Sequence, residues 1–309
     1  MPDVQSEGRR IVDETAAGAG GIEVTMAEET SPLTPSAAVL GASSSSGTAE
    51  GTGTVEVPLH TADGLELRGR WHTAPDARAT AVLVHGFSAT RDDEALCSLA
   101  RDLLSSDLNV LTYDARGHGG SEGQCGVGST EHLDVACAVQ YASEAGPPVV
   151  IVGISMGAIA VVNYLATDPT GPLLAAGAVL VSAPARWRMR VSPLGILTAA
   201  LTRTRPGRYV AARRLRVRVA RRWKTGETPE AAVRRIGLPL AIVHGAGDRL
   251  LAVVHGRQLH ASAAGPSRLD VVDGMGHGID DLCRGATLES VRWVLSLGAP
   301  LSPTTKPAR

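Results

Sequence analysis

The sequence predicts an α/β fold with a mostly parallel, doubly wound sheet, and three observations predict it. Short β-branched or apolar runs, such as Val149 to Val152, alternate along the chain with helix-length segments. Two alternating stretches near the start flank Asp63-Gly64, the signature of an antiparallel hairpin at a sheet edge. Hydrophobic content is 44% with one Phe, so a sizeable core must be built from Val, Leu, Ile and Ala.

Residues 1–53 are rich in Gly, Ala, Ser and Thr and hold eight acids against Arg9 and Arg10, which predicts a disordered acidic tail. Thr54 to Leu59 and Leu65 to His72 form the predicted hairpin. Ala79 to His85 and Leu108 to Tyr113 read as buried strands, with a helix over Glu94 to Leu104 between them. Thr130 to Ala145 reads as a helix with Thr130 as its N-cap. The strand at Val149 leads into a helix through Ala158 to Leu165, and Gly177 to Ser182 is the next strand. Residues 185–236 then interrupt the alternation. It resumes with strands at Leu238 to His244 and Ser267 to Val272 and helices at Val253 to Ala263 and Thr287 to Leu297. The expected division is a core over 54–184 and 237–300, a basic helical insert over 185–236, and a disordered tail over 301–309.

A net charge of −1 names no partner by itself. Its distribution does more: residues 185–236 carry fifteen Arg and Lys against Glu227 and Glu230. Cys97, Cys125, Cys137 and Cys283 are scattered without a C-x-x-C, so neither a metal site nor a disulfide framework is expected, and a reducing cytoplasm fits. No apolar run follows a basic start, and the apolar stretches are broken before the ~18 residues a membrane span needs.

Chemistry is concentrated at Gly153-Ile154-Ser155-Met156-Gly157, which lies between a strand and a helix. That is the context a G-x-S-x-G nucleophile elbow requires, since a sharp turn there pushes the Ser hydroxyl out of the sheet. Side chains at Gly153 and Gly157 would collide with the neighbouring strand or helix. The same pattern recurs at Gly119-Gly120-Ser121-Glu122-Gly123, but it follows a polar loop and runs into Gln124 to Gly128, which cannot start a helix. That copy reads as loop.

A nucleophilic Ser needs a base, and the base needs an orienting acid. Of nine histidines, His277 follows the last strand in a flexible Gly274-Met275-Gly276-His277-Gly278 loop, whereas His85 and His244 end strands and His255 and His260 fall within a helix. For the acid, Asp248 follows the penultimate strand; Asp273, Asp280 and Asp281 are rivals, and Asp273 is too near His277 to reach its far ring nitrogen. The two oxyanion donors are expected from the main chain: the Met156 N–H after the nucleophile, and the Phe87 N–H, or less favourably that of Ser88, after the His85-Gly86 turn.

The pieces His85-Gly86-Phe87, Asp114-Ala115-Arg116-Gly117-His118-Gly119-Gly120-Ser121, Gly153 to Gly157, His244-Gly245-Ala246-Gly247-Asp248 and Gly276-His277-Gly278 span roughly residues 54–300. In that order the sequence resembles the α/β-hydrolases of the serine-aminopeptidase-like and monoacylglycerol-lipase-like group. The resemblance implies the α/β-hydrolase fold, a Ser155–Asp248–His277 triad and hydrolysis through an acyl-enzyme without a cofactor. It also implies that Asp114, Arg116 and His118 belong to a buried hydrogen-bond network. Ser at position 155 speaks against relatives that use Asp there, such as dehalogenases.

By the same resemblance, residues 185–236 occupy the position of a lid. Leu215, Val219 and Trp223, spaced by four, predict one apolar stripe of a lid helix with arginines around it. A second reading gives the arginines anionic lipid headgroups or acidic substrates; nucleic acid is not expected, since no binding fold accompanies the charge. The expected function is cleavage of carboxylic esters, small or lipid-like. Amide, N-terminal peptide or thioester hydrolysis, acyl transfer, and a non-catalytic binding module using the insert are the alternatives.

Overall fold

The computed structural model describes residues 53–146, 148–187, 192–223 and 226–297. The tails expected over 1–53 and 301–309 lie outside them, Gly53 excepted. Among the described residues, the strands are β1 (Thr54–His60), β2 (Glu66–His72), β3 (Ala79–Val84), β4 (Leu108–Tyr113), β5 (Val149–Ile154), β6 (Ala175–Val181), β7 (Leu240–Gly245) and β8 (Ser267–Val272). They form one sheet in the order β1-β2-β4-β3-β5-β6-β7-β8. β1 and β2 pair antiparallel, β2 runs antiparallel to β4, and every later pairing is parallel.

Burial follows the strand chemistry. β3, β4, β5, β6 and β7 are buried at every residue, as strands of a parallel sheet covered on both faces are, and their sequences are accordingly mostly apolar. β1, at the edge, alternates toward one buried face only. Period-two alternation divides the core. Ile151 packs with the side carrying α2 (His132–Ser143) and α3 (Met156–Thr167), while Val150 and Val152 face α1 (Glu94–Leu104) and α9 (Asp281–Leu297). In α1, Leu96, Leu99, Ala100 and Leu103 make the buried stripe, and the Asp93 side chain caps its start by accepting from Ala95 N–H.

Three local expectations change. The helix predicted from Thr130 begins at His132, and Thr130 is not its cap. Instead the Glu131 carboxylate, 1% exposed, accepts from the N–H groups of Gly126 (2.6 Å), Gly128 (2.8 Å) and Thr130 (3.2 Å), so it holds the preceding loop together. The last helix starts at Asp281, six residues before Thr287.

The third change is in the insert. Its helices are α5 (Pro193–Arg203), α6 (Arg205–Val210) and α7 (Pro229–Ala232), following α4 (Gly171–Leu174) and preceding α8 (Val254–Ser262). A π-turn over Ala211–Leu215 ends at Arg216 in the left-handed region (φ 56°, ψ 35°). Beyond it the chain is extended: Val217 bridges His118 and Val219 bridges Cys125. Leu215, Val219 and Trp223 therefore do not form one helical stripe. Val217 and Val219 are buried and Arg216 and Arg218 exposed, so the operative period is two.

Candidate active site

The sheet order reverses at β3 and β5, where the chain moves first outward to β4 and then back across. Crevices at the carboxyl ends of strands form at such a switch point. Phe87 follows β3 and Ser155 follows β5 there.

Ser155 has φ 51° and ψ −108°, outside the relaxed regions for a residue with a side chain. Its N–H donates to Val181 O (2.9 Å), and its carbonyl accepts from Ala158 and Ile159 in the first turn of α3. The turn is this tight because a Cβ on Gly157 would lie 2.2 Å from Val84 O, and one on Gly153 2.8 Å from the Ala158 Cα. Met156 is the first residue of α3, so its N–H has no intrahelical acceptor.

The structure brings Ser155, His277 and Asp248 together. Ser155 Oγ is 2.9 Å from His277 Nε2, and His277 Nδ1 is 2.8 Å from Asp248 Oδ2. An ionised carboxylate only accepts, so Nδ1 carries the proton and Nε2 is left to accept from the hydroxyl. Asp248 Oδ1 accepts from Leu250 and Leu251 N–H, each at 2.8 Å. Burial works to raise the Asp248 carboxyl, but the His277 bond and the two amides outweigh it and hold the group below its ordinary value.

Side chains that sequence reasoning had not singled out for the task fix the His277 loop. Asp280 Oδ2 accepts from Gly276 N–H (3.1 Å) and Oδ1 from Cys283 N–H (3.0 Å). Ser182 Oγ accepts from Gly278 N–H (3.1 Å), and Gly247 N–H reaches Met275 O (3.0 Å), tying the loops of Asp248 and His277 to each other. An Asp three residues before a backbone partner in a helix start was a legible capping signal; Ser182 carried none. Of the rival acids, Asp273 and Asp281 are exposed.

The other histidines lie outside this chain of bonds. Ala115 N–H donates to His85 Nε2 (2.9 Å), and His85 Nδ1 lies 2.8 Å from Gly86 O, so the ring supports the turn that carries Phe87. His118 sits edge-on to His85, with ring centroids 4.9 Å apart. Burial, and then the neighbouring His85, push His118 down to about 3. Asp114 accepts from Arg91 and Gly120 N–H, and Arg116 pairs with Asp134 (2.7 Å) and Asp63 (2.8 Å). Ser121, in the second G-x-S-x-G, is fully buried, donates to Asp114 O and accepts from Arg68 N–H. His244 Nε2 lies 3.2 Å from Leu251 O, behind Asp248.

The Ser155 hydroxyl opens onto a cavity of about 240 Å³. Phe87, Met156, Ile159, Leu250, Trp187 and Trp223 give it apolar walls, Ser88 and His277 also line it, and Leu194 and Arg203 of α5 border it. Among the described residues, no three His, Cys, Asp or Glu side chains group as a metal ion would need.

The fold and the serine on its elbow define a class, and comparison with known proteins agrees. The family model described as serine aminopeptidase, S33, matches residues 75–227. The chain has the α/β-hydrolase fold, and its residues 75–227 are similar to that family of serine hydrolases. Among solved structures, the esterase Pf2001 of Pyrococcus furiosus is 21% identical, covering 80% of this chain and 91% of that one, with a TM-score of 0.57. The α/β hydrolase GrgF from Penicillium sp. sh18 is 18% identical over 80% of this chain and 99% of its own, at 0.62. The esterase RhEst1 from Rhodococcus sp. ECU1013 is 23% identical over 78% and 99%, at 0.59. The search of curated proteins finds no match. At these identities the structural likeness establishes the fold. Among the described residues no helix is long and apolar enough to cross a membrane.

Proposed function

We propose that this protein is a serine hydrolase that cleaves carboxylic esters through Ser155, His277 and Asp248. One observation carries the reading: an unbroken Ser155–His277–Asp248 contact chain of 2.9 and 2.8 Å, its hydroxyl facing an apolar cavity. His277 Nε2 takes the proton as Ser155 Oγ attacks the ester carbonyl, and Asp248 stabilises the imidazolium that forms. The Phe87 and Met156 N–H groups receive the oxyanion, each lowering the barrier by about 3 kcal/mol. His277 returns its proton to the departing alcohol, which leaves an acyl-Ser155. Water, deprotonated by His277, then attacks the acyl carbon; the acid departs and Ser155 regains its proton. The cavity's Ile159, Leu250, Trp187 and Trp223 favour an apolar acyl chain of medium length.

A fluorophosphonate probe and a series of p-nitrophenyl esters test this. Wild type is expected to label at Ser155 and to hydrolyse the esters, and Ser155→Ala to abolish labelling and lower kcat by about 10⁴-fold or more. A wild-type protein that neither labels nor turns over any ester would overturn the reading.

A further inference from the structure

A second concavity, of about 540 Å³, is lined by Gln124, Arg205, Arg208, Ala220, Arg221 and Arg222. Four arginines therefore line one hollow. The insert's two carboxylates are committed elsewhere: Glu230 to a bidentate pair with Arg186, and Glu227 to one with Arg235. Of the undescribed residues, 188–191 and 224–225 contain no acid, while the eight acids between Asp3 and Glu50 lie outside the described residues. Among the described residues, no carboxylate forms an ion pair with Arg205, Arg208, Arg221 or Arg222. Like charges side by side repel, so four arginines that no described carboxylate pairs favour a multivalent anion over a monovalent one.

The walls are held in place. Cys125 N–H donates to Arg218 O (2.7 Å) and Ala220 N–H to Cys125 O (2.9 Å), which fixes the segment carrying Arg221 and Arg222 beside Gln124. The Arg218 guanidinium donates to Gly123 O and Ser121 O. The hollow and the Ser155 cavity are lined by neighbouring residues of the same segments. Arg208 Nη1 donates to the carbonyl of Arg203 (3.0 Å), a residue that borders that cavity, and Arg222 directly precedes Trp223, which lines it.

We infer that this hollow binds a phosphate group on the substrate, so that the ester or thioester cleaved at Ser155 has an apolar acyl part and a phosphate-bearing alcohol or thiol. The inference rests on the proposed hydrolase reading. A planar guanidinium fork matches phosphate oxygens bidentately, and four of them suit a phosphomonoester or pyrophosphate better than a single carboxylate.

The test compares three full-length proteins: wild type, Arg221→Gln/Arg222→Gln, and Arg213→Gln/Arg214→Gln as a charge-matched control outside the hollow. Each is assayed with p-nitrophenyl butyrate, butyryl-coenzyme A and 1-butyryl-glycerol 3-phosphate, and titrated calorimetrically with inorganic pyrophosphate. In the hollow variant, kcat/KM on the better phosphate-bearing substrate is expected to fall at least tenfold through KM, with p-nitrophenyl butyrate within twofold of wild type and pyrophosphate binding lost. The control keeps all three. Flotation with phosphatidylglycerol against phosphatidylcholine vesicles identifies the source: selective loss of vesicle binding in the hollow variant assigns the phosphate to a lipid headgroup, and its retention assigns it to a soluble substrate. Equal losses in both variants, or no loss in either, overturn the inference while p-nitrophenyl butyrate hydrolysis stands. Loss of that neutral activity in wild type marks failure of the hydrolase reading instead.

Discussion

At the carboxyl rim of the sheet, Asp248 is 1% exposed and both its oxygens are hydrogen-bonded, whereas in the insert fifteen cations face two carboxylates. The same contrast holds in the backbone. Ser155 and Arg216 both have positive φ, 51° and 56°. At Ser155 the strain is held by Gly153, Gly157 and the bond to Val181 O, and it aims a hydroxyl at His277. At Arg216 it only turns the chain from the π-turn into the extended segment. The rim is over-determined and in the proposed reading carries the chemistry common to all substrates; among the described residues of the insert only Arg186 and Arg235 pair with carboxylates, and there a substrate would meet its own charge partner. Strain or charge therefore signals function only when neighbouring groups are arranged to maintain it.

The sharpest way to break this contrast is to unsettle the rim. In Asp248→Asn the amide can donate toward Nδ1, which favours the wrong His277 tautomer while leaving the shape intact. The expected loss in kcat on p-nitrophenyl butyrate is about 10⁴-fold, by analogy with other triads. A loss under tenfold would remove Asp248 from the proposed mechanism.

The buried histidines behind the rim predict a pH effect. His118 is pushed down to about 3 by burial and by His85, against an ordinary value of 6.5. The unfolded chain therefore takes up a proton near pH 6.5 that the folded one refuses until about pH 3. Stability is full above pH 6.5 and falls through that window at about 1.4 kcal/mol per pH unit for this one group. His85 and His244, also lowered mainly by burial, add to the slope. Urea unfolding of His118→Asn between pH 7 and 4.5 should fall less steeply than wild type by close to one proton; parallel curves would contradict the assignment.

Removing a support has a smaller effect. Asp280→Ala loses the cap of α9 and the anchor on Gly276 N–H. About 1 kcal/mol of stability is expected to go, or roughly 3 °C in Tm, together with about tenfold in kcat at little change in KM. Unchanged kcat would make Asp280 a helix cap alone.

The sequence made the rim legible because its determinants are local. Gly-x-Ser-x-Gly between an apolar run and a helix leaves the chain little choice, and the mostly apolar runs of β3, β4 and β5 suit a covered parallel sheet. The Ser182 support was not legible, because Ser182 and Gly278 are 96 residues apart and meet only through the β6 exit. The single helical stripe read through Leu215, Val219 and Trp223 failed for a different reason. Leu215, Val219 and Trp223 satisfy period four, while Val217 and Val219 between arginines satisfy period two; tertiary pairing with His118 and Cys125 decided between them. Glu131 was missed as a loop anchor because its three amide partners all precede it in sequence.

The smallest predicted effect separates those two periods by sign. Arg216 is exposed and left-handed, a conformation that costs a residue with a Cβ and costs glycine almost nothing. Arg216→Gly should therefore leave stability unchanged or raise it by about 0.5–1 kcal/mol. Were the segment a continuous helix through Leu215, Val219 and Trp223, the same change would place glycine mid-helix and cost about 1 kcal/mol. Urea unfolding of the two proteins reads the sign directly. Esterase activity should not move with it, since positive φ at Arg216 holds no reacting group, whereas the strain at Ser155 cannot be relieved without losing the hydroxyl's aim.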